Sequence, residues 1–493
     1  MAEPFKLTRI PRLKTPEAFR DHVAILGIDL PCDDSILSAG ESPLTSSLDR
    51  VSLNGKTAGN RIAIHPMEGW DGTITGGVTE EMQRRWQRFG ESGAKLILGG
   101  EAMAVRPDGR ANPNQLIVSA DNQAGIARLV ETLQTAHLER YGTTDDLVVG
   151  IQLTHSGRFC RPNEKNKFEP RVAYRHPILD AKFKVTDDSQ VWTDDEIEEL
   201  IRCYIRAARL AADLEVDFVD IKHCHGYLLH EFLSAHTRPG RYGGSFENRT
   251  RILREIIDGI RADGNDIDII VRLSAFDFVP FRPDPEISQS GKLGPGIPED
   301  YSHCLPYRYG FGVNPDNPVE HDLAEAIEFV GLCAELGVKL VNLSAGSPYY
   351  NPHIQRPAAY PPSDGYQPAY DPLVDVERQI QAVRRIREAA PAEIAIAGCA
   401  YSYLQDYLPH VTQYLVREDW VDVVGLGRMV LSYPDMLPDA MANGELASRK
   451  ICRTFSDCTT GPRNGLVSGC FPLDDYYKSR PEFDRLKQIK KTI

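Results

Sequence analysis

Cysteine is scarce, ten in 493 residues, and mostly isolated, which argues against a disulfide scaffold and fits a reducing compartment. Basic charge is short as well. Lys and Arg total 56 against 70 Asp and Glu, a formal net charge of −14, and no basic arm occurs, so nucleic acid is excluded as the main partner. No run approaches the roughly 18 to 20 apolar residues that span a bilayer, and the opening MAEPFKLTRI has no apolar h-region. No GxGxxG follows a strand-like run. Gly291-Lys292-Leu293-Gly294-Pro295-Gly296 sits in a long insertion, where its proline makes it a loop rather than a dinucleotide fingerprint. These absences lead us to expect a soluble, cytoplasmic protein that acts on a small molecule, with a homo-oligomer left open.

What is present is a core-forming chain, 42% hydrophobic, organised as a repeat. Eight short apolar runs, each followed by an amphipathic helix, lie between about Asn60 and Asn443: Arg61–His65, Lys95–Gly99, Leu147–Leu153, Phe218–Ile221, Asp268–Leu273, Lys339–Leu343, Glu393–Ala397 and Val421–Leu426. Continuous apolar runs suit parallel strands covered by helices. Thr193-Asp194-Asp195-Glu196 is a capping box, followed by Ile197, Leu200, Ile201 and Tyr204 on one helical face. Eight such units predict an α/β fold closed as a TIM (β/α)8 barrel over residues 59–445, with an extension at 1–58 and a tail at 446–493; an open doubly wound sheet is the alternative. Long insertions at Ser156–Asp188 and Ala275–His321 are expected to wall or cover the site at the strand C-terminal ends.

Polar groups gather at those ends. Gln152 closes the third run, Arg272 the fifth, and Lys222 and His225 follow the fourth. The seventh run ends at Gly398, and the eighth leads into Gly425-Leu426-Gly427-Arg428, glycines that let backbone N–H groups approach a phosphate beside a guanidinium.

The segment His225-Gly226-Tyr227-Leu228-Leu229-His230-Glu231-Phe232-Leu233-Ser234 with Arg241-Tyr242-Gly243-Gly244-Ser245-Phe246-Glu247-Asn248-Arg249 resembles the signature of the old yellow enzyme family of FMN-dependent reductases. Asn60-Arg61-Ile62, Pro66-Met67, Gln152, Val271-Arg272-Leu273-Ser274 and Gly425–Arg428 add to the likeness, which runs from Pro43 to Gly444. In layout it resembles the barrel of the larger 2,4-dienoyl-CoA reductase and trimethylamine dehydrogenase relatives. The resemblance implies that Pro66, Met67, Glu68 and Gln152 hold the flavin ring, that Arg272 sits at its N1–C2=O edge, and that Gly398, Gly427 and Arg428 hold the FMN phosphate. It implies NAD(P)H as electron donor, Lys222 and His225 as ligands of a substrate carbonyl, and Tyr227 as proton donor to an electron-poor alkene.

The family has His where this chain has Lys222. A buried ammonium needs a partner, so either Lys222 binds substrate or it pairs with an acidic neighbour while His223 or His225 binds; His223 reads as a core histidine. Tyr349-Tyr350 suits an aromatic wall, with Tyr350 expected to touch the substrate. Such a wall also fits a flavin-dependent amine dehydrogenase or demethylase. Lys222 could instead form a Schiff base in a lyase, and a barrel used only for binding is the remaining alternative. Cys452, Cys458 and Cys470 stand where the larger relatives carry a four-cysteine iron–sulfur motif, with Phe455 in place of the second cysteine; we read them as a relic without metal.

Overall fold

A computed structural model describes residues 7–288 and 293–491; Gly291 and Lys292 of the glycine-bearing loop, and the first six residues, lie outside them. Eight parallel strands close into a barrel. In chain order they are β1 Ile62–Ile64, β2 Leu96–Ala104, β3 Val148–Thr154, β4 Phe218–His223, β5 Asp268–Ser274, β6 Leu340–Ser344, β7 Ala395–Gly398 and β8 Val423–Leu426. Each pairs with its neighbours in sequence, and β1 closes the ring on β8 with Ile62 opposite Val424. The doubly wound alternative is thereby excluded.

The eight predicted runs are the eight strands, and the largest departure is β2. It runs on to Ala104 because its register against β3 jumps between Gly99 and Ala102. Gly99 (φ 113°) and Gly100 (φ 53°) hold backbone conformations that suit glycine. The capping box at Thr193 is formed, and the helix it starts, Asp194–Ala212, buries Ile197, Leu200, Ile201 and Tyr204. Full burial of such side chains contributes about 1.5–3 kcal/mol each.

Inside the barrel, Ala63, Leu96, Leu98, Val148, Phe218, Ile270, Leu340, Ala395, Ala397 and Val423 form one apolar cluster, which Leu48, Val51, Leu53 and Ala58 of the extension join. The extension, read from sequence as turn-rich, also contains the helix Pro16–Leu26, whose Phe19 and Val23 are buried. Tyr407 donates to the carbonyls of Leu13 and Thr15, and Arg417 pairs with Asp33. Among the described residues no helix is long and apolar enough to cross a membrane.

Candidate functional site

A cavity of about 240 Å³ opens at the C-terminal ends of the strands, the end where barrels of this type carry their sites. The ends of β1, β4, β5, β6, β7 and β8 supply His65 to Glu68, Lys222 with His225 and Tyr227, Arg272, Ser344, Cys399 with Ala400, and Gly425 with Gly427 and Arg428. Nine of the residues predicted from sequence therefore meet here: Pro66, Met67, Glu68, Lys222, His225, Tyr227, Arg272, Gly427 and Arg428.

The β4 end is aimed by a strained turn. His225 (φ 65°) and Gly226 (φ 74°) are both left-handed, His225 N–H donates to Ser274 Oγ at 2.9 Å, and Gly226 N–H donates to His230 Nδ1 at 3.1 Å. A Cβ at Gly226 would lie 3.0 Å from the Tyr350 ring and hydroxyl. After the turn, Tyr227 immediately precedes the helix Leu228–Leu233. That helix is fastened by Glu231, which pairs at 2.6 Å with the buried Arg158 of the insertion after β3.

Glu68 organises the mouth. Its carboxylate accepts from Tyr227 Oη at 3.2 Å and from Trp70 Nε1 at 2.9 Å, and it lies 3.9 Å from Lys222 Nζ. Tyr227 Oη is also 3.0 Å from Tyr349 Oη. Lys222 Nζ sits 3.6 Å from the centre of the Tyr227 ring, a cation–π arrangement. Lys222 thus has an acidic neighbour and lines the cavity as well. Burial lowers the Lys222 pKa against the pull of Glu68. Burial, then Glu68, drives the Tyr227 hydroxyl well above the usual phenol value, and burial with the Arg272 charge keeps His225 neutral, well below the usual imidazole value. His225 Nε2 lies 2.9 Å from Ser344 Oγ. His223 is buried with Nδ1 3.1 Å from the Ile221 carbonyl, the core histidine expected.

The donor set tests the expected flavin. Arg272 Nε, Arg428 Nη1 and Gln152 Oε1 are buried without a protein partner. At Gly427 a Cβ would meet only Met67 Sδ, at 3.6 Å, so the backbone there is open. A guanidinium at the end of β5, with an open glycine and a second guanidinium after β8, fits a ring that presents carbonyls and carries a phosphate at its far end. FMN has that distribution.

Three expected contacts differ. Tyr350 does not line the cavity: its hydroxyl donates to the buried Asp277 at 2.5 Å, and Tyr349 lines the mouth instead. Gly398 is not a lining residue either; a Cβ there would collide with the Tyr401 hydroxyl, so the glycine answers to packing, while Cys399 and Ala400 face the cavity. Gln152 lies beneath the lining, donating to Asp220 Oδ2 at 2.6 Å.

The walls also differ. Among the described residues, neither long insertion lines the cavity. The first backs it, with Phe159 stacked on Tyr349 at 4.0 Å. The walls come from the helix Glu80–Glu91, through Arg84, Arg85, Arg88 and Phe89, and from the tail, through Cys458, Thr459, Arg463 and Cys470. Apart from Cys458 and Cys470, which the sequence marked only as a relic metal motif, these residues, with Arg356 and Trp70, escaped sequence reasoning because none stands at a strand end. Among the described residues no group of His, Cys, Asp or Glu is placed to hold a metal ion.

Residues 51–284 match the NADH:flavin oxidoreductase / NADH oxidase family. Over 230 residues the chain is 32% identical to an NADPH dehydrogenase of Halalkalibacterium halodurans, covering 46% of this chain and 62% of that protein; it therefore spans less than two thirds of that relative's length. In shape it is similar to 2-naphthoyl-CoA reductase in complex with 2-naphthoyl-CoA, with a TM-score of 0.61 at 18% identity over 90% of this chain and 58% of the other. It is similar too to an old yellow enzyme homologue from Zymomonas mobilis, with a TM-score of 0.54 at 19% identity over 82% and 94% of the two chains. At these identities the shape likeness speaks for the fold.

Proposed function

We propose that the chain, which over residues 51–284 matches the NADH:flavin oxidoreductase / NADH oxidase family, is an FMN-dependent oxidoreductase passing electrons from NADH or NADPH to an electron-poor alkene such as an α,β-unsaturated carbonyl. The observation that carries this reading is the convergence of Lys222, His225, Tyr227 and Arg272 on one cavity. When bound, FMN supplies the hydride chemistry.

The chain's own residues supply the rest. Met67 and Glu68 with Pro66 and Arg272 would hold the ring, and Gly427 with Arg428 its phosphate. Arg272 places positive charge at the ring edge, where negative charge is stabilised. His225, neutral and anchored on Ser344, and Lys222 present donors to the substrate oxygen, which draws electron density from the β-carbon. Tyr227 holds the proton for the α-carbon at its hydroxyl. Tyr349, in contact with that hydroxyl, is placed to replace the proton.

One observation favours a second reading. Glu68 sets a carboxylate among Trp70, Tyr227 and Tyr349, surroundings that suit an ammonium substrate, and so amine oxidation. Lys222 opposes it by like charge. Anaerobic turnover of FMN-loaded protein with a panel of enones, enoates and amines separates the two. Reduction of enones without amine oxidation is expected; amine oxidation alone would overturn the alkene reading.

A further inference from the structure

Arg356 follows the short helix Pro352–Gln355 after β6 and lines the cavity together with Arg428 and Arg463. Arg463 is neutralised by Asp364. The other two guanidiniums take neutral acceptors: Arg356 Nη1 donates to Thr459 Oγ1, and Arg428 Nη2 donates to the Pro357 carbonyl at 2.9 Å. Arg356 Nε and Nη2 and Arg428 Nη1 are shielded from solvent and have no protein partner. Burial, with the charges of Arg463 and Arg428, lowers the Arg356 pKa to about 9. Two guanidiniums gathered without a carboxylate ask for an anion, and their charge matches a phosphate monoester, which carries close to two negative charges at neutral pH.

The tail builds this arrangement. Besides Thr459 on Arg356, Thr454 Oγ1 accepts from Ala359 N–H at 3.1 Å, Ser456 Oγ donates to the Tyr360 carbonyl at 2.6 Å, and Thr460 Oγ1 accepts from Ser363 N–H at 3.3 Å. Four tail hydroxyls thus fix the loop that carries Arg356. We propose that Arg356, positioned by the C-terminal tail, clamps the phosphate monoester of the bound cofactor jointly with Arg428. This rests on the flavin reading above, but Arg356 and the tail lie outside the matched segment 51–284.

Fluorescence titration of the full chain with FMN and with riboflavin tests it, since the two ligands differ by the phosphate alone. Arg356→Gln is expected to weaken FMN binding by roughly 10- to 100-fold, the range for loss of a charge-assisted contact, and to leave riboflavin binding unchanged, which also reports an intact fold. Thr459→Val should shift FMN binding in the same direction by less. An unchanged ratio of FMN to riboflavin affinity in Arg356→Gln would overturn the clamp. If that ratio held while the preference for NADPH over NADH fell, the site would belong to the donor's phosphate and the flavin assignment would be wrong. A shift in Arg356→Gln with none in Thr459→Val would overturn the part given to the tail. Wild-type protein that binds neither flavin would remove the flavin reading first, and this inference with it.

Discussion

Lys222 and Tyr227 are in contact, yet burial moves their pKa values in opposite directions, and this separates them in a pH profile. The Lys222 ammonium is present below its lowered pKa and lost as pH rises through it; Tyr227 stays protonated beyond the usual phenol value. Alkene reduction should therefore fall on an alkaline limb at a pH below the ordinary lysine value. Lys222→Met should lower the rate and abolish that limb. His225, neutral well below the usual imidazole range, should add no inflection near its ordinary value. A limb that persists in Lys222→Met would assign it elsewhere. Tyr227→Phe should slow alkene reduction by about 10²- to 10⁴-fold, with reduction of the flavin by NADPH unchanged when the two half-reactions are followed separately by stopped flow. At this scale the sequence was informative where residues are consecutive, as in Lys222 to Tyr227. Glu68 and Tyr349 come from other strand ends and reach Tyr227 only in the folded barrel, so the pairing that governs Lys222 could not be read from spacing.

The eight strands were legible because each is largely buried on both sides and therefore mostly apolar. The β2 extension was not, because a bulge at Gly99 and Gly100 obeys local backbone geometry rather than periodicity. The turn after β4 is the element on which the site depends most. Gly226→Ala places a Cβ against Tyr350 at a left-handed φ, and should cost about 1–3 kcal/mol, seen as a lower thermal unfolding temperature together with impaired alkene reduction. The fastening of the following helix makes a second prediction. Arg158 is 1% exposed and pairs with Glu231 and Asp180, so Arg158→Ala strands a buried carboxylate. A loss of about 3–5 kcal/mol follows, measurable by denaturant unfolding. A change within about 0.5 kcal/mol, the usual effect of a surface substitution, would show that the pair does not hold the helix.

Across the whole molecule, periodicity located the barrel and its open end but misassigned the walls. Length and polarity pointed to the two insertions, whereas the tail, with no strand–helix signature, closes the cavity through contacts distant in sequence. Arg84 pairs bidentately with Asp474 at 2.9 and 3.0 Å, joining the two walls. Asp474→Asn should loosen the tail by about 1–2 kcal/mol, read as faster hydrogen exchange across 446–491 with barrel strands unchanged. The flavin itself is the claim on which the rest depends. Its most direct measurement is an anaerobic visible spectrum of the full chain supplied with FMN, then NADPH or NADH, followed at the flavin band near about 450 nm. The account predicts that the band shifts on binding and bleaches on addition of the nicotinamide. Protein that leaves the FMN spectrum unperturbed, and from which FMN separates freely on gel filtration, would contradict it.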